Sequence, residues 1–151
     1  MTLGRGATPA CLDSSDYKTL TGVTLDDDTI VPKRSFYTDY VAFKDDSLSY
    51  DETSDESAQG IQLINRLATF YKSHATKSIR FVIDGSYFVD SETARTLAQQ
   101  RIDTVRTSLV SAGVPIRLIT ANIPAYSEPE DDTPDENSGT TMTLLSASGC
   151  R

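Results

Sequence analysis

The side chains able to do chemistry in this chain are few. Arg101 stands between neutral neighbours, Gln100 and Ile102. A guanidinium offers a planar fork that grips a carboxylate through two parallel hydrogen bonds. On a helix whose inner face carries Ala98 and Val105, Arg101 lies beside that face, where its stem is able to cover apolar surface. Ser86 and the single histidine, His74, raise the question of nucleophilic hydrolysis. No G-x-S-x-G elbow frames the serine, and no order of nucleophile, base and acid is recognisable. Asp84 reads as a strand-end or turn carboxylate and Asp90 as a helix cap, without a framing apolar pocket. Asp26, Asp27 and Asp28 adjoin but lack the spaced ligands of an EF-hand loop. Two cysteines and one histidine do not complete a four-ligand zinc site. The expectation is therefore no enzyme, no metal and no cofactor.

The cysteines, Cys11 and Cys150, lie near opposite ends of the sequence. Three readings stand open: two free thiols, a disulfide tying both tails together in an oxidising compartment, or lipidation of Cys11. The opening MTLGRGATPAC has one arginine and no apolar h-region, so it does not read as an intact signal peptide.

A net charge of −8 repels nucleic-acid phosphates and anionic lipid surfaces, and no basic stripe offsets it. No apolar run reaches the length of a transmembrane span. With 151 residues, 38% of them hydrophobic, the chain fits one domain with solvated ends or loops.

The elements that position these side chains follow from periodicity. Residues 1–31 lack it and read as a flexible, solvated N-terminal arm. Residues 36–43 are aromatic and β-branched, a first strand. Residues 45–56 form an acidic, serine-rich loop with Leu48 and Tyr50 as anchors. A helix over 55–73 repeats Ile61, Ile64, Leu67, Ala68 and Tyr71 at helical spacing, with Asp55 and Glu56 favouring its dipole. Residues 79–83 are a short apolar strand broken by Asp84-Gly85-Ser86. The next helix starts at Asp90 or Ser91 and ends at Ala112, with Ala94, Ala98, Ile102, Val105 and Leu109 on one face. Gly113 is its left-handed cap and Pro115 its stop. Residues 116–123 read as a third strand. Residues 128–136 hold six acidic residues and two prolines, a loop. Residues 140–145 read as the last strand, able to pair with the third as a hairpin.

Gly85, the run Leu97-Ala98-Gln99-Gln100-Arg101-Ile102, the turn Ala112-Gly113-Val114-Pro115 and the following IRLITANIPAYSEP resemble the OmpA-like domain family of bacterial cell envelopes. The resemblance spans residues 36–146. It implies an α+β fold, a β-α-β-α-β-β sandwich with a mixed sheet and two main helices packed on one face. The domain would occupy 32–147, with the acidic loop 127–139 inside it and a tail at 148–151. The family binds peptidoglycan without covalent attachment. Its helix arginine engages the carboxylate of the diaminopimelate stem peptide, and a loop aspartate engages polar groups nearby.

Here Arg101 holds the arginine position, whereas the loop reads Ser86-Tyr87-Phe88, with Phe88 where the aspartate belongs. Ala94 replaces the helix asparagine, and Ser138-Gly139-Thr140-Thr141 replaces the arginine pair before the last strand. With its customary acidic companion gone, Arg101 is expected to face solvent, and Asp84, Asp90 and Ser86 are the substitutes within the candidate ligand site. The implied role is a structural component of an outer-membrane or periplasmic assembly, such as a secretion-system core complex, with weak or lost peptidoglycan binding. The alternative is a working peptidoglycan module gripping the stem peptide through Arg101. Tyr87 and Phe88 read either as core anchors or as an aromatic pair meeting a partner protein.

Overall fold

Helix α3 (Glu92–Ser111) is specified locally at both ends. The Ser91 side chain accepts the Ala94 N–H at 3.1 Å, so Ser91 rather than Asp90 is the N-cap. At the other end Gly113 adopts φ +110°, the Gly113 N–H reaches Val110 O and the Val114 N–H reaches Leu109 O. This is a Schellman turn, closed by the buried pair Val114 and Leu109. All five expected face residues of α3 are buried, and Arg101 joins them.

The structure is a computed structural model that describes residues 11–21, 37–51, 60–128 and 141–149. Around α3 the described chain forms α1 (Ser14–Thr21), β1 (Tyr37–Tyr40), α2 (Ile61–Ser73), β2 (Arg80–Tyr87), a 3-10 turn (Ile116–Leu118), β3 (Ile119–Ala121), β4 (Ala125–Tyr126) and β5 (Thr141–Ser148). The architecture is α+β with a mixed sheet in the order β1-β5-β2-β3, and β4 also lies on β2. Strand β5 runs antiparallel to β1 and β2, whereas β3 and β4 run parallel to β2.

The hairpin expected between the third and last strands does not form. Instead β5 fills the centre, matching β2 residue for residue from Thr141 opposite Tyr87 to Ser148 opposite Arg80. The reason is burial. Thr141, Thr143, Leu145 and Ala147 are all buried on one face of β5, and a strand so enclosed needs partners on both edges. The third strand is shorter than expected because Pro115 leads into the 3-10 turn, closed by Leu118 N–H on Pro115 O. Pairing with β2 then resumes at β4 after Asn122, Ile123 and Pro124.

Opposed residues of paired strands share a face. Phe81, Ile83 and Gly85 of β2 therefore face the same side as Leu145 and Thr143 of β5. That side receives α3: a Cβ on Gly85 would lie 2.7 Å from Ile102 Cδ1, so glycine permits the close approach of helix to sheet. From α2, Leu63, Ile64, Leu67, Ala68 and Phe70 complete the core, and Ile61 and Tyr71 pack at its margin.

The N-terminal segment departs from the expected solvated arm. Residues 14–21 are helical, and Leu12 and Leu20 enter the core. Asp13 and Asp16 cap one another's backbone, Asp16 N–H to Asp13 Oδ1 at 3.0 Å and Asp13 N–H to Asp16 Oδ2 at 2.9 Å. Buried Asp16 then accepts Lys77 Nζ at 2.6 Å and faces His74 Nε2 at 3.2 Å, fastening α1 to the end of α2. This pairing raises the Lys77 pKa, chiefly through the hydrogen bond to Asp16. Asp26, Asp27, Asp28, Asp55 and Glu56 lie outside the described residues, as does the acidic run beyond Glu128.

Candidate functional site

Residues 42–51 form a small hairpin ahead of α2. Its arms are joined by Asp51 N–H to Ala42 O and Lys44 N–H to Ser49 O, both at 2.9 Å, and its turn holds Asp46 at φ +49°. Aspartate tolerates that left-handed conformation better than most side chains. The hairpin lies against α3. Tyr50 Oη shares a 2.6 Å hydrogen bond with Ser108 Oγ, and the Tyr50 ring packs on Phe43 at 5.1 Å. Tyr50 thus anchors as expected, whereas Leu48 is exposed.

Arg101 rises from α3 into this hairpin and is 0% exposed. Its Nε donates to Ser47 O at 2.9 Å, Nη2 to Lys44 O at 2.8 Å and Nη1 to Thr141 Oγ1 at 2.7 Å. The guanidinium carbon lies 4.9 Å from the centroid of the Phe43 ring. Burial pulls the arginine pKa below its ordinary value, and the charges of Asp46 and Asp45 partly restore it. The expectation that Arg101 faces solvent is therefore corrected. The fork that suits a carboxylate is filled by two backbone carbonyls and a threonine hydroxyl.

The other predicted site residues are not gathered round it. Asp84 and Ser86 alternate with Ile83, Gly85 and Tyr87 along β2, so they point to the sheet face opposite α3. Asp84 Oδ1 accepts Asn122 Nδ2 at 2.6 Å, and Ser86 lies between Met142 and Ala125 in the sheet. Asp90 is exposed just before the cap of α3. Arg101 follows Glu92 by two and a half helical turns, roughly 13 Å along the axis. A hollow of about 360 Å³ flanks the hairpin, lined by Leu48, Gln100, Asp103, Thr104, Thr107 and Ser108. Among these lining residues Asp103 carries the only charge, which repels rather than holds a carboxylate.

Cys11 is disulfide-bonded. The other cysteine of the sequence, Cys150, lies outside the described residues. Leu12 and Gly149 are neighbours, because a Cβ on Gly149 would lie 3.4 Å from the Leu12 side chain.

Two features of the site escape sequence reasoning. The carbonyls of Lys44 and Ser47 carry no side-chain signature, although the aromatic pair Phe43 and Tyr50 marks the ends of their hairpin. The Asp16 cluster has a fainter signal, the spacing of Asp13 and Asp16 as a capping box.

No family model matches the chain, and no curated protein matches it in sequence. Solved structures do match in shape. The OmpA-like domain of FopA1 from Francisella tularensis superposes with TM-score 0.52 at 15% identity, covering 99% of this chain and 94% of that one. The peptidoglycan-associated lipoprotein of Burkholderia pseudomallei gives TM-score 0.50 at 20% identity over 72% of this chain and 88% of its own. A periplasmic domain of MotB gives 0.50 at 10% identity over 100% and 91%. At these identities the likeness is one of fold, and the fold of this chain is OmpA-like.

Proposed function

We propose that the chain is a non-enzymatic cell-envelope component that uses an OmpA-like fold as a packing unit in an outer-membrane or periplasmic assembly, such as a secretion-system core complex. Peptidoglycan binding in it is weak or lost. The observation that carries this reading is Arg101, wholly buried and donating from all three guanidinium nitrogens into its own chain. A fork occupied in this way serves the fold. The absent loop aspartate, the separation of Asp84, Asp90 and Ser86 from Arg101, and the lone carboxylate of the adjoining hollow support the same reading. A disulfide at Cys11 suits an oxidising compartment such as the periplasm. The fold neighbours, by name a periplasmic domain and a peptidoglycan-associated lipoprotein, support an envelope setting. No helix among the described residues is long and apolar enough to cross a membrane.

A second reading keeps Arg101 as a ligand for the diaminopimelate stem peptide, with Asp84, Asp90 and Ser86 assisting. Its support is the fold shared with the peptidoglycan-associated lipoprotein. Co-sedimentation with purified sacculi separates the two. The scaffold reading expects wild type and Arg101→Ala alike to stay in the supernatant at low and moderate salt. Sedimentation of wild type that Arg101→Ala abolishes, with the variant still folded by circular dichroism, establishes the second reading instead.

A further inference from the structure

A second hollow, of about 340 Å³, lies away from Arg101, between α1 and α2. We propose that it binds a linear aliphatic carboxylate of medium chain length, with the head group on Arg66 and the chain lying along the two helices. The inference goes beyond the scaffold reading and does not rest on it.

The α2 wall of this hollow consists of two parallel rows at helical spacing, Asn65-Thr69-Ser73 and Arg66-Phe70-His74. Arg66 precedes His74 by a little over two turns, roughly 12 Å along the axis, so the space is elongated. From α1, Leu20 forms part of the facing wall. Leu20 and Phe70 both belong to the core, which makes the floor of the groove apolar. The His74 ring stacks on Phe70 at 4.2 Å and extends that floor. Asp16 fastens α1 to His74 and Lys77, which holds the two walls at a fixed spacing. The hollow is thus preformed, as small-molecule sites usually are, and its volume lies at the lower end of their range of about 300–1,000 Å³.

The two ends of the groove differ in charge, and this decides the ligand. Arg66 is exposed, and its Nη2 donates to Tyr37 Oη, with the guanidinium carbon 5.5 Å from the Tyr37 ring centroid. The Tyr37 hydroxyl in turn donates to Asp39 Oδ2 at 2.9 Å, so Arg66 meets a phenol oxygen rather than a carboxylate. A guanidinium has five N–H donors, and this single bond leaves a planar edge for an incoming carboxylate. Asn65 and Thr69, beside Arg66, add an amide and a hydroxyl, and none of the described lining residues is acidic. The far end is closed to a second anion. His74 Nδ1 lies 2.8 Å from Phe70 O and Nε2 lies 3.2 Å from Asp16 Oδ1, so both ring nitrogens are engaged and the buried Asp16 carboxylate repels another. The occupant that fits is anionic at one end, apolar along its length and uncharged at the other.

Amide NMR on the full chain tests this with octanoate, kept below its micellar concentration. The controls are octylammonium, which inverts the charge, acetate, which removes the chain, and octanedioate, which adds a second carboxylate. Octanoate is expected to shift the Leu20, Arg66 and Phe70 amides and to bind at least about tenfold more tightly than each control. Arg66→Gln is expected to remove the preference over octylammonium. Thr69→Phe, which projects a ring into the groove from an exposed helix position, is expected to abolish binding. Unchanged resonances elsewhere show that a variant stays folded, and either variant alone suffices. The proposal is overturned by equal binding of any control, by shifts that do not saturate or lie away from the groove, or by a folded Thr69→Phe that binds octanoate as wild type does. The sacculus experiment reads Arg101, so the scaffold reading stands or falls separately.

Discussion

Replacing Arg101 by methionine retains most of its volume and removes every donor. The loss then includes the bonds to Ser47 O, Lys44 O and Thr141 Oγ1 and the stacking on Phe43. Hydrogen bonds involving a charged group contribute about 1.5–3 kcal/mol each, without simple additivity. Two effects reduce the sum. Lys44 O keeps the Ser47 N–H at 3.2 Å, and methionine no longer bears the cost of a buried charge. The net expectation is about 3 kcal/mol of destabilisation. Arg101→Lys is expected to do no better, because one ammonium spans fewer acceptors and remains charged in the same buried place. The chain has no tryptophan, so denaturant unfolding is best followed by far-ultraviolet circular dichroism. A local readout accompanies it. Lys44 is exposed in the hairpin that Arg101 pins, so tryptic cleavage after Lys44 is expected to accelerate about a hundredfold in Arg101→Met if local opening governs it. Should the methionine variant lie within about 1 kcal/mol of wild type, with Lys44 equally protected, Arg101 would not be a structural peg and the scaffold reading would lose its main support.

Two further outcomes are expected. Peptide mapping without reductant should return the Cys11 and Cys150 peptides linked; closing a loop of roughly 140 residues is worth about 5 kcal/mol in the chain-entropy account, so reduction should lower the midpoint markedly, and disulfide-linked dimers would exclude the intrachain bridge. Burial and the hydrogen bond to Asp39 push the Tyr37 phenol up from 10.0 to about 12, so the folded state favours the neutral ring. That contribution is complete below the unfolded value and disappears as pH rises from 10 through about 12. Tyr37→Phe should therefore flatten the fall in stability across this window, and identical alkaline profiles would count against the assignment.

Much of the fold is legible in local pattern. Ala94, Ala98, Ile102, Val105 and Leu109 announce the inner face of α3, and Gly113-Val114-Pro115 its end. What pattern cannot carry is long range. The place of β5 between β1 and β2 depends on which strands bury it, and α1, too short to show periodicity, is held by Asp16 against His74 and Lys77 just beyond α2. The burial of Arg101 was hidden for the same reason. Its position on α3 is readable, but the hairpin that covers it comes from residues more than fifty positions away, and backbone carbonyls leave no mark on composition.

The central position of β5 has a consequence for biogenesis. Strands β1 and β2 precede it in the chain, yet each meets the other only through it. As the polypeptide emerges, both must wait with unsatisfied ladder edges, in a state open to stray pairing. Assembly is therefore non-local and comparatively slow, which makes a holdase that shields nascent strands more valuable to this protein than to one built from successive hairpins.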